Sequence, residues 1–146
     1  MVTTRHATTN YRMLKPYLSK VEENNGYSQF RAEGYMPLSI EYLRYLDYFG
    51  DEVWAISHTG EQNGDLMRDP EMLIAINHKD ETVRPLTFEN SYVGVYQRVF
   101  DSARYFRPRL LRELDEFLWG WLKHTITPLY KPNKGIKIED VISWEA

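Results

Sequence analysis

The sequence predicts a single α+β domain, in which an antiparallel meander sheet of about four to five strands is covered by N- and C-terminal helices in two layers. Three observations favour this fold: apolar residues at helical spacing near the N-terminus, a central run of alternating segments, and a long apolar stripe after Pro108. The connections between the central segments are too short for parallel crossovers, so these strands should pair antiparallel. One domain accounts for residues 1–146.

The first predicted helix spans residues 10–25. Asn10 is a suitable N-terminal cap, and Gly26 indicates the end of the helix. Apolar side chains recur along it at helical spacing, at Tyr11, Leu14, Leu18 and Val21. Residues 1–9 are polar and without periodicity, and we expect them to be disordered.

The central part of the chain predicts strands. Apolar and polar residues alternate over residues 27–30, 38–42 and 53–59, as they do in half-buried strands. Residues 71–77 form a nearly continuous apolar run, which is typical of a strand covered on both faces. Residues 83–99 should add one or two short strands.

The last helix has the clearest pattern. It begins at Pro108, a residue favoured in the first turn of a helix, and its apolar stripe is formed by Leu110, Leu111, Leu114, Phe117, Leu118, Trp121 and Leu122. We expect this stripe to cover the sheet. The tail, residues 128–146, is rich in turn-forming residues.

The composition excludes several classes of protein. With Cys 0, the chain has neither disulfides nor thiolate metal ligands nor a cysteine nucleophile. No apolar run approaches the roughly 18 residues of a membrane span, and the start of the chain does not resemble a secretion signal. We therefore expect a cytoplasmic protein that does not bind membranes, and nothing in the sequence calls for a cofactor.

Charge is unevenly distributed along the chain. Residues 41–71 contain eight acidic residues and two arginines, a balance of −6, together with closely spaced tyrosines at 42, 45 and 48. Residues 98–112 have the opposite sign, because five arginines stand against Asp101. These are Arg98, Arg104, Arg107, Arg109 and Arg112. The first segment predicts a surface that binds a protein partner, and the second is a candidate nucleic-acid contact.

The connection between the strands at 53–59 and 71–77 is unusually rich in functional side chains, and we expect residues 60–70 to be a polar loop. The candidate binding residues here are His58, Glu61, Gln62, Asn63, Asp65, Arg68, Asp69 and Glu71. If the two strands form a hairpin, His58 should lie beside Glu71 and His78 near Glu52. The two histidines would then be roughly 20 Å apart, too far to share a metal, so the sequence assigns no metal site.

Three interpretations of this segment remain open. Asn63-Gly64 and Asp69-Pro70 are turn-forming dipeptides, so the polar residues could simply satisfy their own backbone. The same carboxylates, with His58 as the base, could form a metal-dependent hydrolase. A divalent-cation loop is the third, because Glu61, Asn63 and Asp65 alternate as calcium-binding oxygens do, although Leu66 and Met72 stand where an EF-hand loop requires glycine and glutamate.

One stretch of the sequence resembles a known family. It comprises EGYMPLSIEYL at residues 33–43, ISHTGEQNGDLMRDPEM at 56–72 and VRPLTFENSYVGVYQRV at 83–99. It resembles an uncharacterised domain family of plasmid-borne and conjugative-element bacterial proteins that carries an EQNGDLMxDPEM signature. The resemblance implies a mobile-element accessory protein and names no catalytic residue.

These observations favour a non-enzymatic accessory domain that binds a protein through the acidic and aromatic surface of residues 41–71. Nucleic-acid binding through the Arg98–Arg112 segment is the first alternative. A metal-dependent hydrolase centred on His58 and the carboxylates of residues 61–71 is the second. The sequence alone does not define the oligomeric state.

Overall fold

A computed structural model describes residues 3–101 and 105–145, without the side chains of residues 61–62 and 142–145. The fold is α+β, with a seven-stranded antiparallel sheet and three longer helices. The strands are β1 (Tyr27–Phe30), β2 (Leu38–Tyr48), β3 (Asp51–Gln62), β4 (Asp65–Asn77), β5 (Thr82–Pro85), β6 (Thr87–Asn90) and β7 (Val95–Arg98). The helices are α1 (Ala7–Glu23), α2 (Pro108–Trp121), the short α3 (Thr127–Leu129) and α4 (Ile138–Glu145).

The sheet has the order β1-β2-β3-β4-β6-β7, and β5 also pairs with β4. The antiparallel meander is confirmed, but the expected number of four to five strands is too low. Residues 82–98 form three short strands because β5 pairs with the end of β4, β6 pairs further back along β4, and β7 returns along β6.

The prediction of a polar loop over residues 60–70 is wrong. Gln62 lies opposite Asp65, so only Asn63 and Gly64 form the turn between β3 and β4. Both have positive φ, 54° and 85°, as a two-residue hairpin turn of type I′ requires. The turn dipeptide was identified correctly, but the strands on either side of it extend through the polar residues.

The helix α1 begins at Ala7 rather than Asn10. Asn10 is fully buried within the helix and is not its cap. Residues 7–9, expected to be disordered, form the first helical turn. The Thr4 hydroxyl donates to Asp115 of α2 at 2.6 Å, and the His6 backbone N–H donates to the same carboxylate at 3.0 Å.

The core lies between one face of the sheet and the two long helices. Side chains from α1 and α2 form a single buried cluster with the inward-facing residues of the strands, including Ile40, Trp54, Ile56, Met72 and Ile74. The apolar stripe of α2 therefore covers the sheet, as the sequence predicts. The two-layer arrangement is matched only approximately, because α4 contacts the edge strand β1 instead of lying in the covering layer.

The C-terminal region has more regular structure than a turn-rich tail. A π-helical segment, Leu122–Ile126, continues α2 directly, and a 3₁₀ turn, Pro132–Lys134, precedes α4. Ile136 is bridged to Gln29 of β1. None of the helices within residues 3–101 and 105–145 is both long and apolar enough to span a membrane.

Candidate functional site

The predicted acidic and aromatic surface of residues 41–71 is divided between the two ends of β3. Tyr45, Leu46 and Phe49 are exposed near the β2–β3 turn, at the start of β3. The polar candidate residues 61–71 lie around the β3–β4 turn, at the opposite end. Eleven steps along β3 at about 3.3 Å each separate the two ends by roughly 36 Å. A single small partner surface cannot cover both ends.

Two hairpins meet at the second of these ends. Residues 60–70 form the tip of the β3–β4 hairpin and residues 90–96 the tip of the β6–β7 hairpin, and together we call them the paired-hairpin end. The Ser91 backbone N–H donates to the Arg68 carbonyl at 2.8 Å, and the Arg68 N–H donates to the Ser91 hydroxyl at 3.1 Å. The Asn90 amide donates to the Asp69 carboxylate at 2.6 Å. These bonds hold the two tips together.

Gly60 adds a close contact between the hairpins. The Tyr92 hydroxyl lies where a side chain at residue 60 would be, and the Met36 sulfur is also nearby. A side chain at position 60 would require the Tyr92 hydroxyl to move. Glycine therefore lets Tyr92 contact the tip of the neighbouring hairpin.

The paired-hairpin end exposes apolar side chains. Leu66 is 62% exposed, Val93 70% and Tyr96 61%, and Tyr92 and Val95 are exposed as well. Single exposed apolar residues are common on soluble proteins, whereas several on neighbouring segments indicate an interaction site. Sequence reasoning missed this half of the surface, because Tyr92–Tyr96 become neighbours of residues 60–70 only through the pairing of β4 with β6.

Acidic side chains accompany these apolar ones. Asp65 is exposed, and Glu71 is half-buried and ion-paired with Arg68 at 3.0 Å. Burial raises the pKa of Glu71, the nearby Arg68 guanidinium opposes this, and the carboxylates of Glu89 and Glu41 raise it further. Glu89 lies directly opposite Glu71 in the sheet. The side chains of Glu61 and Gln62 lie outside the described part of the chain, as do any contacts they make.

His58 does not pair with Glu71 across the strands. The register shifts between Ser57 and Thr59, so Ser57 rather than His58 lies opposite Glu71. The prediction that His58 pairs with Glu71 is therefore wrong. The His58 ring is buried against Trp121 and Tyr130, with ring centroids 5.2 and 5.6 Å away.

His58 is thus packed among the helices. Burial lowers its pKa, and the Asp69 carboxylate opposes this effect. Its Nε2 atom has no hydrogen-bond partner within the described residues. Asp69 and Glu71 are themselves engaged by Asn90 and Arg68, so the structure gives no support to a hydrolytic centre on His58.

The arginines of residues 98–112 lie at the β7 edge and the start of α2. Arg98 and Arg107 both contact Asp101, at 3.6 and 2.8 Å, and Arg109 pairs with Glu113 at 3.4 Å. A hydrogen bond from Arg107 is the main cause of the lowered pKa of Asp101. Arg112 is exposed, and Arg104 lies outside the described residues. Arg98 and Arg107 line a cavity of about 420 Å³, but acidic partners offset part of their charge.

A further polar cluster joins α1 to the far end of β3 and β4. The Tyr11 hydroxyl is 2.8 Å from His78 Nδ1, and His78 Nε2 is 2.9 Å from a Glu52 carboxylate oxygen. The Trp54 indole N–H donates to the same oxygen at 3.0 Å. The expected proximity of His78 to Glu52 is confirmed. The contribution of Tyr11 was missed, because its spacing indicates only a core position on a helix.

Comparison with known proteins gives one match. A family model described as a domain of unknown function, DUF6908, matches residues 10–126. The chain belongs to the DUF6908 family. No curated protein and no solved structure matches it. Membership in DUF6908, a domain family of unknown function, assigns no activity to the chain.

Proposed function

We propose that this DUF6908 chain is a non-enzymatic binding module that recognises a protein partner through the paired-hairpin end. The observation that carries the proposal is the group of five exposed apolar side chains on two hairpins tied by hydrogen bonds. They are Leu66, Tyr92, Val93, Val95 and Tyr96. Burying such side chains yields roughly 25 cal/mol per Å² of apolar surface, which favours association.

The charges indicate the kind of partner. Within residues 60–71 and 89–96, Glu61, Asp65, Asp69, Glu71 and Glu89 stand against Arg68, a balance of −4. Burial and, after it, the carboxylates of Glu89 and Glu41 raise the pKa of Glu71, so an approaching cation would relieve repulsion that already exists. The matching partner surface presents apolar pockets surrounded by lysine or arginine.

The end is also rigid enough for binding. Three hydrogen bonds join residues 68–69 to residues 90–91 across the hairpins, and both hairpins continue a sheet that is packed against the core. A surface that is already ordered loses less conformational entropy when a partner binds. Tyr92 and Tyr96 are well suited as anchors, because tyrosines are enriched at binding hot spots.

The resemblance to mobile-element proteins gives this proposal a context. A mobile-element accessory role suggests testing proteins encoded on the same element first as partners, in the cytoplasm, where we propose that the chain works. Nucleic-acid binding through Arg98–Arg112 is less favoured, because Asp101 and Glu113 engage three of the arginines.

Site-specific photo-crosslinking in cells tests which end makes the contact. A photoreactive phenylalanine analogue is placed at position 96 or 66, and at position 49 as the control. Phe49 is 62% exposed, as Leu66 is, but lies at the opposite end of β3. We expect the same discrete protein adduct from positions 96 and 66 and none from position 49.

If the proposed surface binds a basic partner, the yield of the crosslinked adduct should depend on the negative charge of this surface. Reversal of Asp65 to lysine should reduce its yield severalfold, because Asp65 is exposed and has a long-range attraction for a basic partner. An adduct that forms equally from all three positions, or that is indifferent to Asp65→Lys, would contradict the proposal.

A further inference from the structure

We propose that Glu22, Glu52 and His78 form a binding site for a zinc-class divalent cation. Each residue offers one ligand atom, and these three atoms lie within 4.8 Å of one another. They come from three separate elements: α1, β3 and the turn that follows β4. The site lies at the opposite end of β4 from the paired-hairpin end, so it is independent of the protein-binding proposal.

The separations suit a metal ion. Zinc binds imidazole nitrogen and carboxylate oxygen at about 2.0–2.2 Å, so two ligand atoms in a tetrahedral site are about 3.3 Å apart. The His78 Nε2 and Glu52 oxygen atoms are 2.9 Å apart. Glu22 is exposed on α1, and its ligand oxygen lies within 4.8 Å of the other two ligand atoms.

Two neighbouring groups orient the ligands. A metal-bound histidine normally uses its second ring nitrogen as a hydrogen-bond donor to a fixed acceptor. The Tyr11 hydroxyl is 2.8 Å from His78 Nδ1 and can accept that proton, which leaves the Nε2 lone pair for a metal. The Trp54 N–H fixes the Glu52 carboxylate at 3.0 Å. Tyr11 and Trp54 are both buried, so these orienting groups are rigid.

The ligand set selects the class of cation. One imidazole and two carboxylates suit zinc and similar first-row ions, whereas magnesium prefers six oxygen ligands including several waters. A cavity of about 260 Å³, lined by Lys15, Ser19, Glu22 and His78, opens beside the ligands. It leaves room for water or a small anion in the fourth position, and the two carboxylates balance the charge of a divalent ion.

Calorimetric titration with zinc alone tests the site. We expect the full chain to bind one equivalent, and His78→Ala or Glu22→Gln to weaken binding at least tenfold. Tyr11→Phe keeps the packing of the ring but removes the acceptor for His78, and should weaken binding about tenfold. Magnesium should not compete at the same concentrations.

Matched controls separate this site from other zinc contacts. His124→Ala removes another exposed histidine, and Glu23→Gln removes the carboxylate next to Glu22 on α1. Both should bind zinc as the native chain does. Because Glu22 is exposed, Glu22→Gln should fold normally even if His78→Ala is unstable. Zinc binding that survives Glu22→Gln unchanged, or that is lost in His124→Ala instead, would overturn the proposal.

Discussion

At the scale of single residues, His58 shows how burial can decide between a structural and a catalytic role. Its ring lies between Trp121 and Tyr130, and burial lowers its pKa below the ordinary value of about 6.5. The folded chain therefore favours neutral His58, while the unfolded chain binds a proton as the pH falls through 6.5. Stability from this residue is present above that pH and is lost on acidification.

Replacement of His58 should remove this pH dependence. Between pH 7.5 and 5.5, the native chain should lose up to about 1.4 kcal/mol of unfolding free energy through His58. In His58→Leu the loss over the same range should be smaller by that amount, because leucine cannot be protonated. Urea unfolding at the two pH values measures it. Equal losses in both proteins would show that His58 is not held neutral.

Asp115 is a second residue whose role depends on distant contacts. It is buried on α2 and accepts hydrogen bonds from the Thr4 hydroxyl and the His6 N–H. Asp115→Ala leaves these donors without their acceptor and should cost about 2–3 kcal/mol. Asp115→Asn retains one oxygen and should cost less. A thermal unfolding series would refute this role if the alanine variant were as stable as the native chain.

The sequence could not reveal Asp115, because its two partners are more than a hundred positions away. The same reason explains why residues 1–9 were expected to be disordered. Their polarity indicates a free end, and only the contact with α2 orders Thr4 and His6.

At the scale of elements, patterns of side-chain polarity predict the parts that face the core. The central parts of β1, β3, β4 and α2 could be predicted directly, the strands from the alternation of apolar and polar residues and the helix from its apolar stripe. The outer halves of β3 and β4 were missed, since Asn, Asp and Gly are typical of loops. Pairing between the strands, and with β6, overrides that local preference. The register shift at His58 leaves no signal in the sequence.

The β2–β3 turn offers a test of turn chemistry. Phe49 has a φ of 48° and precedes Gly50, so the turn is of type I′, in which asparagine is strongly preferred at the first position. A bulky side chain is unfavourable there. Phe49→Asn should raise the unfolding free energy by about 0.5 kcal/mol, even though the contact of the Phe49 ring with Tyr48 is lost. A decrease of 1 kcal/mol in urea unfolding would contradict this explanation.

At the scale of the whole molecule, the sheet sorts the unusual residues into two ends. One end of the sheet carries Phe49, Glu52 and His78, and the other is the paired-hairpin end. The composition of residues 41–71 indicated one acidic and aromatic surface, but its aromatic and acidic residues lie at opposite ends of the strands. The acidic residues 61–71 could be identified from the sequence, whereas their apolar neighbours at 92–96 depend on the topology.

We therefore expect the binding energy to be concentrated at the paired-hairpin end. The most direct measurement is the dissociation constant between the purified chain and the partner identified by crosslinking. It compares the native chain, the double variant Leu66→Thr/Tyr96→Thr and the opposite-end control Phe49→Asn. All three substitutions are at exposed positions, so the fold should persist.

Loss of two anchors at about 2 kcal/mol each should weaken the complex several hundredfold in the double variant. The control should stay within twofold of the native chain. A complex that tolerates Leu66→Thr/Tyr96→Thr but is weakened by Phe49→Asn would contradict the account and move the binding surface to the other end of the sheet.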